Sequence, residues 1–156
     1  MAGTSTVATE QGREEDRVWT GGCLCGGVRY AIDVRPEPIS FCHCAQCRRQ
    51  HSHVGAYTGA PRAALRLLND ATLTWYASSS RAHRGFCACC GAGLFWEAMG
   101  QGPADGEPRI TVTAGSLDDA TGLRVERHIF VDHKGAYYDI GDDGVERRTS
   151  TGEIVA

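Results

Sequence analysis

Long apolar runs are missing from this chain of 156 residues, the longest being only a few residues, and that excludes a membrane-spanning helix. Runs of Lys and Arg are missing too. Arg48-Arg49 and Arg147-Arg148 are only pairs and the formal net charge is -3, so there is no basic footprint for nucleic acid or an anionic membrane. The first seventeen residues lack the apolar block of a signal peptide and carry Arg13-Glu14-Glu15-Asp16-Arg17 in its place. Residues 1–17 therefore read as a flexible leader, and the protein as cytoplasmic. No internal repeat is present: Cys-x-Cys pairs recur, but their flanks do not match. Sustained helical periodicity is equally scarce, with one short helix expected over Ala45 to Gln50 and another turn near Pro61 to Leu65.

Strand signals fill the space left by helices. Val28, Tyr30, Ile32 and Val34 alternate with Arg29, Ala31 and Asp33, the period of a half-buried strand. Leu73 to Tyr76, Leu94 to Trp96, Ile110 to Ala114 and His128 to Val131 read as further strands, with a short one at Val54 to Tyr57. Gly and turn residues punctuate nearly every junction, which favours a single, mainly β domain of short strands over residues 18–143. Ala98 to Pro108 is a polar, Gly- and Pro-bearing connection expected on the surface, where it can also wall a pocket; residues 144–156 read as a polar C-terminal tail.

What the chain has in abundance is cysteine, eight residues in three clusters. A reducing compartment disfavours disulfides, and thiols two residues apart are poorly placed to bridge one another but can point at one ion, so metal ligation is the expectation. Cys23-Leu24-Cys25 is bracketed by glycines, and Cys87-x-x-Cys90-Gly91 has the spacing of a zinc knuckle. Together Cys23, Cys25, Cys87 and Cys90 complete a closed, structural site, with Cys89 competing with Cys90 for the fourth place.

The middle cluster, Cys42, Cys44 and Cys47, supplies three thiols and has no partner cluster. Residues at i, i+2 and i+5 converge if the chain turns after Cys44 and enters a helix whose first turn carries Cys47. His43, His51, His53, His128 and His133 are the candidates for a fourth ligand, and a closed Cys3His structural site is one reading. The other is an open site, where metal chemistry happens. Three thiolates overcompensate the charge of Zn²⁺ and make a poor activator of water, so an open site of this kind suits a thiol substrate, held as thiolate beside an electrophile. Arg48 and Arg49 can balance that charge or grip a carboxylate, or simply form a solvated helix end; His43 can carry a proton or point away from the metal.

The motifs Gly21-Gly22-Cys23-Leu24-Cys25-Gly26-Gly27-Val28-Arg29-Tyr30, Cys42-His43-Cys44-Ala45-Gln46-Cys47-Arg48 and Arg84-Gly85-Phe86-Cys87-Ala88-Cys89-Cys90-Gly91 resemble those of the glutathione-dependent formaldehyde-activating enzymes, grouped with centromere-protein-V-like proteins. Ala114-Gly115-Ser116-Leu117-Asp118-Asp119 and His128-Ile129-Phe130-Val131 extend the likeness, which covers roughly Trp19 to Asp143. The resemblance implies packed, curved antiparallel sheets stapled by zinc in a β-tent, with two Zn²⁺ per chain. It implies a structural zinc on Cys23, Cys25, Cys87 and Cys90 and a catalytic zinc on Cys42, Cys44 and Cys47. The implied activity is that of a carbon–sulfur lyase like S-(hydroxymethyl)glutathione synthase, whose partners are a small thiol such as glutathione and an aldehyde or thiol adduct. His128 and Lys134 fall in a matching segment without an assigned role. Trp75, Tyr76, Trp96, Tyr137 and Tyr138 are core or rim aromatics, or line a pocket. A non-enzymatic, zinc-stabilised protein-interaction module is the alternative.

Overall fold

Two sheets of unequal size divide the chain. The computed structural model describes residues 17–100 and 106–155. The smaller sheet has three strands in the order β1-β2-β5: β1 (Trp19–Gly22), β2 (Arg29–Ile32) and β5 (Leu65–Asn69). The larger contains β3 (Ile39–Cys42), β4 (Gly55–Pro61), β6 (Leu73–Ser79), β7 (Ala82–Cys87), β8 (Gly93–Ala98), β9 (Arg109–Thr113), β10 (Val125–Ile129), β11 (Glu146–Arg148) and β12 (Ile154–Val155). Its order is β12-β11-β10-β3-β4-β9-β8-β7-β6. The helix α1 (Ala45–His51) follows β3, and one of three short 3-10 turns among the described residues, Arg62–Ala64, stands where the sequence suggests a turn after Pro61. No helix among the described residues is long and apolar enough to cross a membrane.

The expected alternation holds only in part in the smaller sheet, because Ala31, which should point outward, is buried as well. Val28, Tyr30 and Ile32 are fully buried while Val34 emerges to solvent. With Trp19, Leu94, Phe95, Ile110 and Val112 they form the main core, where Tyr30 meets Phe95 edge to face at 5.3 Å between ring centroids. Gly21 permits that packing: a Cβ there would stand 2.3 Å from Tyr30 Oη and 2.5 Å from the Ser116 carbonyl. The Tyr30 hydroxyl instead hydrogen-bonds Ser116 Oγ at 2.7 Å.

Two features depart from the sequence reading. The larger sheet is mixed rather than wholly antiparallel, because β10 pairs in parallel with both β3 and β11. Parallel neighbours need a long crossover, and here it is the whole stretch from α1 to β9, which no local pattern announces. The second departure is residues 144–156, read as a polar tail: Arg147 and Arg148 pair with His128 and Ile129, and Ile154 and Val155 fold back on them, so this stretch extends the sheet past Asp143. The expected leader, residues 1–17, lies outside the described residues except for Arg17, which hydrogen-bonds the carbonyls of Asp119 and Thr121. The middle of the Ala98–Pro108 connection, residues 101–105, also lies outside them.

The strands that carry the site show its two-sided logic. Phe95 opposes Val112 and both are buried in the core. One residue on, Trp96 opposes Thr111, Arg84 opposes Trp96 and Gly59 opposes Thr111, so Arg84, Trp96, Thr111 and Gly59 form a row on the other face.

Candidate metal centres

Four thiols from two distant segments meet first. Cys23 closes β1, where its amide donates to the Val28 carbonyl at 3.0 Å and its sulfur accepts from Val28 N–H at 3.2 Å. Gly26 takes a positive φ of 78° in the hairpin beyond it, and Gly91 one of 75° after the second pair, where its amide donates to the Cys87 carbonyl at 2.8 Å. These turns bring Cys23, Cys25, Cys87 and Cys90 together, with all four sulfurs within 4.8 Å of one another. Cys25 Sγ lies 3.6 Å from both Cys23 Sγ and Cys87 Sγ. Cys87 is fully buried, and its thiol is drawn down to about 6, first by the Thr72 hydroxyl at 3.1 Å and then by the Cys90 N–H. Cys89 stays exposed and outside the group.

Cys42, Cys44 and Cys47 form the second group, again with sulfurs within 4.8 Å. Cys42 is the last residue of β3, Cys44 caps α1, and Cys47 sits in its first turn with its N–H donating to Cys44 Sγ at 3.4 Å. The Cys44 thiol is pulled far down by donation from Cys42 and Cys47 and by the N–H groups opening the helix. Cys42 is correspondingly pushed up, by the hydrogen bonds to Cys44 and Cys47 and then by burial. Three sulfurs at these positions share their charge rather than hold it singly. Each cluster offers soft sulfur donors only, a set that fits a borderline-soft divalent ion.

Among the described residues no imidazole joins the second group. His43, although between two of its thiols, is buried facing away, with Nδ1 2.7 Å from Tyr138 Oη and Nε2 2.9 Å from His128 Nδ1. His128 Nε2 in turn lies 3.0 Å from Asp143 Oδ2. Burial, followed by His128, lowers His43 to about 4. His51 Nε2 is engaged with Tyr57 Oη at 2.7 Å, His53 Nδ1 with Tyr137 Oη at 3.1 Å, and His133 Nε2 lies 3.7 Å from Asp132.

Among the described residues the cluster faces, in place of a fourth ligand, a cavity of about 440 Å³. Its walls include Pro38, Trp96, Ile129 and Phe130, with Gln46, Arg84 and Tyr57 among its polar groups. Tyr57 joins cavity and cluster, since its hydroxyl donates to Cys47 Sγ at 3.5 Å; burial and the neighbouring Cys47 raise its pKa. Arg48 and Arg49, suggested by the sequence as a charge balance, do not line this cavity. Of the candidate aromatics only Trp96 does. Trp75 stacks on His83, Tyr76 and Tyr137 are exposed, and Tyr138 holds His43. Lys134 Nζ donates to the Tyr138 carbonyl at 2.8 Å and takes no part in the cavity. Tyr57 and Arg84 are the site residues that sequence reasoning missed. No sequence signal set Arg84 apart, since a charge just ahead of Gly85-Phe86-Cys87 reads as exposed until the burial of its strand is known.

The sequence profile of the family described as "Glutathione-dependent formaldehyde-activating enzyme" matches residues 18–133. A crystal structure of a Rhodobacter sphaeroides protein superposes with a TM-score of 0.53 at 22% identity, covering 66% of this chain and 91% of that one, and shares the fold.

Proposed function

The chain belongs to the glutathione-dependent formaldehyde-activating enzyme family, and from that premise we propose that it is a zinc-dependent carbon–sulfur lyase acting on a small thiol–carbonyl adduct. The observation that carries the reading is the difference between the two sulfur groups. One gathers four sulfurs; the other gathers three and, among the described residues, faces a cavity.

In this reading Cys23, Cys25, Cys87 and Cys90 hold a structural zinc that staples the β1–β2 hairpin to β7. Cys42, Cys44 and Cys47 hold the catalytic one, which when bound supplies a position for a fourth sulfur and favours its thiolate form. The chain's own groups do the rest. Tyr57 donates to Cys47 and moderates the charge on the three-sulfur set, while the apolar cavity walls keep water from competing for the electrophile. In the synthetic direction the substrate sulfur forms a bond to the carbonyl carbon, the π pair moves to oxygen, and that oxygen gains the proton the thiol lost. The lyase direction reverses each change. Glutathione is the thiol and formaldehyde the electrophile that the family description suggests, and a reducing, cytoplasmic setting fits eight cysteines none of which is in a disulfide.

The test is spectroscopic. Cobalt is substituted for zinc in the full-length protein, and glutathione is titrated while the thiolate-to-metal absorption is followed, in the wild type and in Cys44→Ser. The expected result is a thiol-dependent change in the wild type that is lost in Cys44→Ser. A spectrum already characteristic of four sulfurs at both centres, indifferent to added thiol, would leave a zinc-stabilised interaction module as the better reading.

A further inference from the structure

Arg84 is about 5% exposed, and no carboxylate among the described residues pairs with it. A buried guanidinium without an anion is expensive, and folded proteins keep one only where something offsets it. What this structure provides is thin: Nη1 reaches Tyr57 Oη at 3.4 Å and Nη2 reaches Gln46 Oε1 at 3.3 Å, both long and both to neutral oxygens. A guanidinium has five N–H donors, so most of this one's capacity is unspent.

The side chain also has a direction. Arg84 lines the same cavity as Cys42, Cys44 and Cys47, one hydroxyl away from the cluster, since Tyr57 Oη lies 3.4 Å from Arg84 Nη1 and 3.5 Å from Cys47 Sγ. Among the described residues the cavity has one acidic side chain, Glu37, and Arg109 engages it. At the far end of the row that Arg84 occupies, the place a Cβ on Gly59 would take is filled by Glu37, whose Oε2 would stand 2.6 Å from it. At about 440 Å³ the cavity falls in the range of sites for small organic ligands and far exceeds what a one-carbon aldehyde fills.

We propose that Arg84 anchors a substrate carboxylate, so that the cavity takes a small ligand with a carboxylate at one end and, across a short aliphatic spacer, a sulfur at the three-thiol centre. The proposal rests on the reading of that centre as open. The apolar walls contact the spacer and exclude water from the pair, where a bidentate guanidinium–carboxylate contact is strongest. The competing role for Arg84 is to balance excess thiolate charge through Tyr57, with no ligand contact.

Calorimetric titration of the metal-loaded, full-length protein separates these possibilities with two acid–amide pairs: 3-mercaptopropionate against 3-mercaptopropanamide, and butyrate against butanamide. The acid of each pair should bind about tenfold tighter or more in the wild type. Arg84→Gln should erase that preference and Arg84→Lys should keep part of it. Acid and amide binding within twofold of each other in the wild type would overturn the proposal, and that comparison does not depend on any variant folding. A preference surviving in Arg84→Gln would overturn it as well. So would Arg84→Gln weakening both members of each pair equally while shifting the cobalt spectrum, the signature of charge balance. If acids are preferred but the mercapto pair binds no better than the butyrate pair, the anchor stands and the open-centre reading falls.

Discussion

His43 Nε2 and His128 Nδ1 face each other at 2.9 Å in a buried setting, with Tyr138 on the far side of His43 and Asp143 on the far side of His128. The four groups tie the backbone between Cys42 and Cys44 to β10 and to the segment beyond it. His128→Ala removes the middle of this chain and leaves a ring nitrogen of His43 buried without a partner. The expected cost is about 1–3 kcal/mol of stability in urea unfolding. Tyr138→Phe, which removes only the terminal hydroxyl, should cost less, about 1 kcal/mol. Equal stability of His128→Ala and wild type would show that the chain of hydrogen bonds holds nothing.

Cys89 and Cys90 are neighbours in sequence, yet only Cys90 joins the four-sulfur group. Cys89→Ser should therefore keep the full metal content and stay within about 0.5 kcal/mol of wild type, as exposed substitutions do. Cys90→Ser should lose one metal per chain and unfold at lower temperature. Metal analysis with thermal melting of both variants checks this. Loss of metal from Cys89→Ser, with retention in Cys90→Ser, would exchange their roles.

Much of the site was legible because local spacing encodes it. Thiols at i, i+2 and i+5 before a helix, and Cys-x-x-Cys-Gly before a left-handed turn, are short-range geometry. The alternation of Val28, Tyr30 and Ile32 is legible for the same reason. β7 was not, because Arg84 is buried in it and His83 lies half-covered, so its sequence shows no apolar period. Arg84 reads as a surface charge until β8 is laid beside it. The His43–His128 pair spans 85 residues and depends on β10 running parallel to β3, a pairing that nothing local fixes. β11 escaped notice because its strand is Glu-Arg-Arg, polar throughout and held by backbone pairing at the end of the sheet.

Asp118 links the smaller sheet to the segment after β9. Its carboxylate accepts from Arg29 and Thr20, and these hold it down to about 2, below the ordinary 3.8. A carboxylate depressed in the folded state contributes stability that is fully present above its unfolded value and is lost as pH falls from about 3.8 towards about 2. Asp118 is well exposed, so solvent screens the pair and the effect is modest. Urea midpoints of wild type and Asp118→Asn should converge as pH drops through that window and separate above it. Release of metal from protonated thiols is common to both proteins, so the difference between them is the readout. A constant separation across the window would assign the pair no role.

Gly21 and Gly59 both look closed to a Cβ, yet they should respond differently. At Gly21 the obstacles are the ring of a fully buried Tyr30 and the Ser116 backbone carbonyl, neither free to move. At Gly59 the nearest obstacle is a carboxylate oxygen at the flexible end of a solvent-facing Glu37. Gly21→Ala should therefore cost about 1–3 kcal/mol, the usual range for overpacking, and should disturb the hairpin that carries Cys23 and Cys25. Gly59→Ala should leave stability within about 1 kcal/mol, because Glu37 can swing aside. The methyl does enter the row shared with Arg84, so this variant should weaken binding of 3-mercaptopropionate without loss of metal. Urea unfolding, metal analysis and calorimetry on the two variants check the contrast. A Gly59→Ala protein as unstable as Gly21→Ala would mean that Glu37 is fixed, and that the cavity floor is part of the fold rather than space kept for a ligand.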